Sequence, residues 1–264
     1  MTWMSRATHL CPPGDFLHVA RLGGYYPLKY YKHCDHVVGI TQGLVNHLSK
    51  GHWSPSQIHY IQNFAFLPKK VSPIVRSEFQ TPKSAPLILA LGRLHSDKAF
   101  DILIPALAKI PKAYLWIAGE GEEREALERL ARFEGVEDRV RFLGWQTRTA
   151  CLIQAADILA FPSRIEPHGT VTLEAWGYQK PLVVARSAGP GEMVRHGETG
   201  LLVDIDDIES LSASLNRVIQ DKDLTKKMVQ KGYEEFLSKY TEEIVVKKYL
   251  DFFETICRQK KKGR

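Results

Sequence analysis

The chain has 264 residues, of which 44% are hydrophobic and 25% charged, with a formal net charge of +6. These values suit one large or two small globular domains. They exclude a membrane-spanning helix, because no apolar run approaches the ~20 residues a bilayer requires, and no secretory signal pattern is present.

The first 85 residues are irregular and basic. They hold nine Lys and Arg against three Asp and Glu, and seven of the ten histidines; the rest of the chain holds 27 of each sign. This asymmetry predicts two units, the first facing an anionic partner such as anionic membrane lipid, a phosphorylated acceptor or nucleic acid. Strands are expected at 16–20, 36–40 and 58–61, with a helix at 42–50. Residues 68–85, with Pro68, Pro73, Pro82 and three serines, have linker composition.

From residue 86 a regular alternation begins. Apolar strands are expected at 86–91, 113–118, 140–143, 157–161, 182–185 and 200–203. Between them, helical spacing marks 100–110, 122–133, 147–155, 171–178 and 190–196. Helices at 207–220, 223–238 and 241–257 close the chain before a basic tail, 258–264. Such βα alternation with near-continuous apolar strands predicts a parallel sheet covered by helices on both faces. Ligands of such sheets sit at the carboxyl ends of the strands. The four cysteines, Cys11, Cys34, Cys151 and Cys257, have neither metal-ligand spacing nor a dense framework, so a reduced, cytoplasmic setting is expected.

The most informative segment runs from Glu166 through Pro167-His168-Gly169-Thr170-Val171 to Glu174. A strand leads through a loop into a helix start, with one carboxylate before the helix and one inside it. Free N–H groups at a helix start bind anions such as phosphate, and carboxylates accept hydrogen bonds from sugar hydroxyls. A phosphate between two polyols matches that layout. Taken alone, Glu166 also reads as a solvated loop residue and Glu174 as an ordinary first-turn acid.

Three further signals fall at strand ends. Gly92-Arg93 with Lys98 places two cations beside a glycine that permits close backbone approach. Gly119-Glu120-Gly121 follows the second strand; by itself it is compatible with turn chemistry. Gly144-Trp145 follows the third, where the ring suits either a nucleobase or domain packing.

Together with Gly189-Pro190…Glu192 and Gly197…Thr199-Gly200-Leu201-Leu202-Val203, these marks make residues 86–205 resemble the retaining glycosyltransferase family 4, the group 1 glycosyltransferases of GT-B fold. Arg21-Leu-Gly-Gly-Tyr-Tyr26 and Tyr60-Ile61-Gln62-Asn63-Phe64 are similar to bacterial members. The resemblance implies an α/β protein: a partial N-terminal, acceptor-side Rossmann-like domain (1–67), a linker (68–85), a complete C-terminal nucleotide-sugar domain (86–240), and a final helix with basic tail (241–264). Compared with similar proteins, an opening strand, a Gly-rich loop and several βα units are absent, so truncation at the amino end is expected.

The implied activity is sugar transfer from a nucleotide-diphosphate-sugar to an envelope lipid or polysaccharide acceptor, with retention, without cofactor or metal. Arg93 and Lys98 are implied to neutralise the leaving diphosphate, with Glu166 facing the transferred sugar. Gly92, Gly119, Gly121, Gly144, Trp145, His168, Gly169, Thr170, Val171 and Glu174 are implied to line the donor site, Glu174 at the ribose. Asp204-Ile205-Asp206 and Asp221-Lys222-Asp223 imitate a metal motif of another transferase fold, but acids there suit turns and helix starts. Where the family usually has glycine after the motif lysine, this chain has Ala99, expected to be tolerated because it opens a helix. The alternative reading is a truncated module that holds a nucleotide-sugar without transferring it. Nucleic-acid binding, suggested only by the basic first unit and its tyrosines, is set aside for want of a motif. A peripheral contact of the basic segments with the inner face of an anionic membrane is also expected.

Overall fold

A computed structural model describes residues 1–68 and 70–262. Lys69 of the expected linker and residues 263–264 of the basic tail lie outside the described residues. The chain forms two compact units, residues 1–65 with 238–264, and residues 66–237.

The first unit contains β1 (Thr2–Trp3), α1 (Ser5–His9), β2 (Val19–Leu22), β3 (His36–Gly39), α2 (Gln42–Leu48) and β4 (Ile58–Tyr60). The strands form a parallel sheet in the order β1-β2-β3-β4. Thr41 starts α2 by accepting a hydrogen bond from the Leu44 N–H at 3.2 Å, the usual use of threonine at a helix start. The strand expected at 16–20 is shifted toward the carboxyl end, because Val19–Leu22 is the stretch that pairs with His36–Gly39. It runs through Arg21, whose charge is met by the Asn63 side-chain oxygen and by the Tyr249 hydroxyl.

One face of this sheet packs Ala20, Leu22 and Val37 against Tyr31, Leu48 and Trp53. The other packs Val19, Val38 and Ile61 against Val245, Phe252 and Ile256. Those last three lie on α10 (Glu242–Lys262) at helical spacing. The final helix, expected to stand apart, is therefore a layer of the first unit.

The second unit contains a six-stranded parallel sheet: β5 (Leu87–Leu91), β6 (Tyr114–Ala118), β7 (Val140–Gly144), β8 (Ile158–Phe161), β9 (Leu182–Ala185) and β10 (Leu201–Val203). Its helices are α3 (Phe100–Ala108), α4 (Arg124–Phe133), α5 (Thr149–Ala155), α6 (Thr170–Gly177), α7 (Ala188–Met193), α8 (Ile208–Gln220) and α9 (Lys222–Lys239). The strand order is β10-β9-β8-β5-β6-β7. The chain thus steps outward from β5 in one direction, then returns beside β5 and steps out in the other. The point of reversal lies between β5 and β8, and crevices at such points receive ligands.

Residues 68–85 do not behave as a free linker. The Ile74 N–H donates to the Cys151 carbonyl at 3.2 Å, and Arg76 donates to the Ala155 carbonyl at 2.7 Å and to Asp157 at 2.8 Å. Phe79 meets the buried Trp116 edge-on at 5.0 Å, and Trp116 Nε1 donates to Thr81 Oγ1 at 2.9 Å. The prolines and serines that suggest a linker suit equally a segment with one 3-10 turn, Arg76–Phe79, that is pinned by side chains.

Candidate functional site

The site is built from the loops that leave β5, β6, β7 and β8. The first three are stitched together by backbone hydrogen bonds: Gly92 N–H to the Ala118 carbonyl at 3.1 Å, Leu94 N–H to Glu120 at 2.9 Å, and Gly119 N–H to Gly144 at 2.8 Å. This closeness dictates glycine. A Cβ on Gly119 would lie 1.9 Å from the Gly92 carbonyl oxygen, and one on Gly121 2.3 Å from that of Leu94. A Cβ on Gly144 would meet only the end of the flexible Glu120 side chain, at 2.9 Å; there the left-handed backbone, φ +68, is what favours glycine. Gly119, Gly121 and Gly144 thus shape the floor on which the Gly92–Lys98 loop rests. A Cβ on Gly92 would press on the alkyl stem of Lys98 at 3.3 Å, so its absence leaves room for that stem.

Lys98 ends a short 3-10 turn, Ser96–Lys98, and is followed by Ala99 in the left-handed conformation (φ +52, ψ +39). Ala99 does open α3, as expected, but in a conformation that costs a non-glycine residue about 1–2 kcal/mol. Its side chain is fully buried, which offsets part of that cost.

The Lys98 ammonium donates to Glu166 Oε2 at 2.6 Å, with each side chain about one-fifth exposed. The other oxygen, Oε1, accepts from the Gly169 N–H at 3.0 Å. Gly169 precedes α6 with φ +79, a left-handed turn that glycine adopts without strain. The first-turn N–H groups of Thr170 and Val171 lie beyond the reach of bonds made inside the helix. One carboxylate therefore links the lysine loop to a helix start. Arg93 is exposed in the same loop as Lys98, Thr170 is exposed and Val171 half-buried.

His168 is buried at 4% exposure, and its backbone is covered by Gly189, where a Cβ would lie 2.5 Å from His168 Cα. Glu174 is half-buried on α6, and burial raises its carboxyl above the ordinary value. Burial, then the nearby Glu174, likewise pushes the Tyr178 hydroxyl up. Trp145, open to two readings in sequence, is 75% exposed and takes no part in a core among the described residues.

Three of the four acids that imitate a metal motif, Asp204, Asp206 and Asp221, are otherwise engaged. Asp204 pairs with Arg186 at 3.4 Å, Asp206 with Arg164 at 2.7 Å, and Asp207 accepts from the Ser210 N–H at the start of α8. Asp221 accepts from the Leu224 N–H. No group of three or more metal-ligating side chains is assembled among the described residues. Sequence reasoning missed Arg164, Asp97 and Asp101, which join the two loops. They belong to no pattern that chemistry alone marks as ligand-binding.

This arrangement offers cations and helix N–H groups for an anion, beside two carboxylates for hydroxyl groups. Comparison with known proteins identifies the family. The sequence profile of the group 1 glycosyl transferases matches residues 72–235. The lipopolysaccharide core biosynthesis glycosyltransferase LpsE of Rhizobium meliloti is 37% identical over 253 residues, covering 95% of this chain and 74% of LpsE. LpsD of the same organism is 34% identical over 256 residues, covering 96% and 74%. Among solved structures, HepE of Anabaena in complex with UDP and glucose superposes with a TM-score of 0.81 at 21% identity, over 90% of this chain and 71% of that one. Sucrose-phosphate synthase of Thermosynechococcus elongatus gives 0.82 at 22%, over 93% and 69%. These two structures speak for the fold. With its profile matched over more than half its length and two curated transferases aligned along nearly all of it, the chain belongs to the group 1 glycosyl transferases and is an α/β enzyme of GT-B type.

Proposed function

We propose that the chain transfers a sugar from a nucleotide-diphosphate-sugar to an envelope lipid or polysaccharide acceptor, with retention and without a bound metal, as in family 4. The observation that carries this reading is the Glu166 carboxylate. It holds Lys98 Nζ at 2.6 Å with one oxygen and the Gly169 N–H at 3.0 Å with the other, at the reversal point of a parallel sheet. The part LpsE and LpsD play in lipopolysaccharide core biosynthesis supports an envelope acceptor, and the UDP and glucose bound to HepE support the donor class.

In this reading the donor diphosphate takes Lys98 from Glu166. Lys98 and Arg93 then offset the negative charge that grows on the leaving phosphate, together with the N–H groups of Thr170 and Val171 at the start of α6. Because leaving-group charge develops in the transition state, these fixed positive groups favour that state over the ground state. Glu166, released from the lysine, accepts hydrogen bonds from the transferred sugar and supports positive charge at its anomeric carbon. Glu174 accepts from the ribose hydroxyls, which favour the charged form that its partial burial disfavours. Gly92 admits the ligand's close approach, Gly119, Gly121 and Gly144 line the site through the floor they form, and Trp145 and His168 flank it. The basic residues of 1–85 and 258–262 serve a peripheral contact with an anionic, inner membrane face; binding to anionic but not neutral vesicles tests that part.

The experiment is a thermal-shift titration with UDP, GDP, ADP and CMP, with Glu174→Ala as control. Ligand at a hundred times its dissociation constant stabilises by about 2.7 kcal/mol, a shift of roughly 5–10 °C at this size. A shift with one nucleotide, lost in Glu174→Ala, supports the donor site and names the base. Turnover of the matching nucleotide-sugar, unchanged by EDTA and giving a product of the donor's anomeric configuration by NMR, supports the rest. Binding without turnover favours a module that only holds its donor. No shift with any nucleotide overturns the proposal.

A further inference from the structure

Arg164 lies two residues before Glu166, in the loop that leaves β8, with its side chain 26% exposed. Its guanidinium donates to both oxygens of Asp101, at 2.9 and 2.6 Å, to Asp206 Oδ1 at 2.7 Å, and to the Ser96 carbonyl at 2.7 Å. Its backbone N–H donates to the Asp97 carbonyl at 2.8 Å. These partners come from two other segments: the loop and helix after β5, and the turn after β10. Asp206 reaches its place in the left-handed conformation, φ +62, which residues other than glycine rarely adopt. The planar fork of arginine serves such a set, and a lysine ammonium cannot span it.

The position of this clamp matters more than its strength. Lys98 lies two residues after Ser96, and Glu166 lies two residues after Arg164. The Lys98–Glu166 pair and the Arg164 clamp are therefore parallel cross-links between the same two loops. In the reaction proposed above, the donor phosphate removes the first of them by taking Lys98. The second contains no group that a donor displaces.

We infer that Arg164 is a positioning residue for the diphosphate site. It keeps the Lys98 loop and the start of α6 at the spacing at which both face one anion, and it does so once the ligand has separated Lys98 from Glu166. The inference rests on the donor-site reading given above. Arg164 itself does not touch the donor; it acts through Lys98.

The test compares the affinity of the full chain for the nucleoside diphosphate found by the thermal-shift titration with that for the matching nucleoside, which lacks the phosphates. The proteins are wild type, Arg164→Ala, Arg164→Lys, Asp206→Asn, Lys98→Ala and the Arg164→Ala/Lys98→Ala double variant. Misplaced site groups lose affinity steeply, so Arg164→Ala is expected to weaken the diphosphate about tenfold or more and the nucleoside by less than about twofold. Arg164→Lys recovers only part of the loss. In the Lys98→Ala background the Arg164 change adds less than about twofold, the non-additivity of residues acting through one another.

Equal losses for both ligands would mean general loosening and overturn the inference. So would full additivity with Lys98→Ala, or an unchanged diphosphate affinity. Asp206→Asn leaves the Asp101 fork in place and is expected to give a smaller shift in the same direction. It carries the test if Arg164→Ala does not fold, and no shift there overturns the inference. A wild-type chain that binds no nucleotide removes the donor-site reading itself, and this inference with it.

Discussion

Replacing Gly119 with alanine tests whether the loops after β5, β6 and β7 form one rigid floor. The added methyl would lie 1.9 Å from the Gly92 carbonyl oxygen and 2.8 Å from its carbon. Ordinary contact begins at 3.4 Å, so the Gly92 backbone must retreat by about 1.5 Å. That retreat breaks at least one of the Gly92–Ala118 and Gly119–Gly144 hydrogen bonds. Overpacking of this kind costs about 1–3 kcal/mol and each lost bond about 1 kcal/mol, so the contact is expected to destabilise by about 2–5 kcal/mol, on top of the backbone cost of a side chain at φ +150. Gly135→Ala is the control: its φ is +64 but no atom lies within 4 Å of the new Cβ. It carries only the backbone cost, about 1–2 kcal/mol. Urea unfolding followed by far-UV circular dichroism reads both. Gly119→Ala should also weaken nucleotide binding, because Lys98 moves with its loop, and Gly135→Ala should not. Equal destabilisation by the two variants would refute the claim that backbone contact, rather than glycine's dihedral freedom, dictates residue 119.

Three further outcomes are expected. Glu174→Gln should stabilise the unliganded protein at neutral pH while weakening nucleotide binding. The folded protein holds this proton more tightly than the unfolded chain, so stability falls as pH rises through the ordinary carboxylate range toward the raised value. The gain from Gln should therefore vanish below that range, and a pH-independent gain in a stability-versus-pH series would sink the assignment. Gly232→Ala should destabilise by about 1–3 kcal/mol, although alanine favours helices by about 1 kcal/mol, since its methyl would lie 2.5 Å from the buried Trp176 ring. A raised Tm for this variant would contradict the packing of α9 on Trp176. Exposed Cys257 should react with a thiol reagent in the native protein while buried Cys34, its thiol pushed up to about 12 by burial, stays protected until unfolding. Peptide mapping after brief labelling distinguishes the two.

Much of the second unit was legible in the residues themselves. Strands such as Leu87–Leu91 and Leu182–Ala185 are buried on both faces and read as unbroken apolar runs, so neither depends on knowing its neighbours. The Glu166–Glu174 segment was legible because a helix start carries its chemistry locally. Other features had no local mark. Residues 68–85 read as a linker because their order comes from Arg76, Thr81 and Phe79 meeting groups 35 to 80 positions away. Ala99 read as an ordinary helix opener because nothing in its neighbours reveals a left-handed backbone.

By itself, then, the sequence determined the alternation of strands and helices, the loops that carry charge, and the family, since each depends on residue type and spacing along the chain. Only the tertiary structure decided that β8 returns beside β5, that α10 covers the first sheet, and that Lys98 meets Glu166 while Arg164 clamps both loops. These are pairings between distant segments. They follow from which apolar faces and backbone edges find each other in space, and no local pattern encodes that choice.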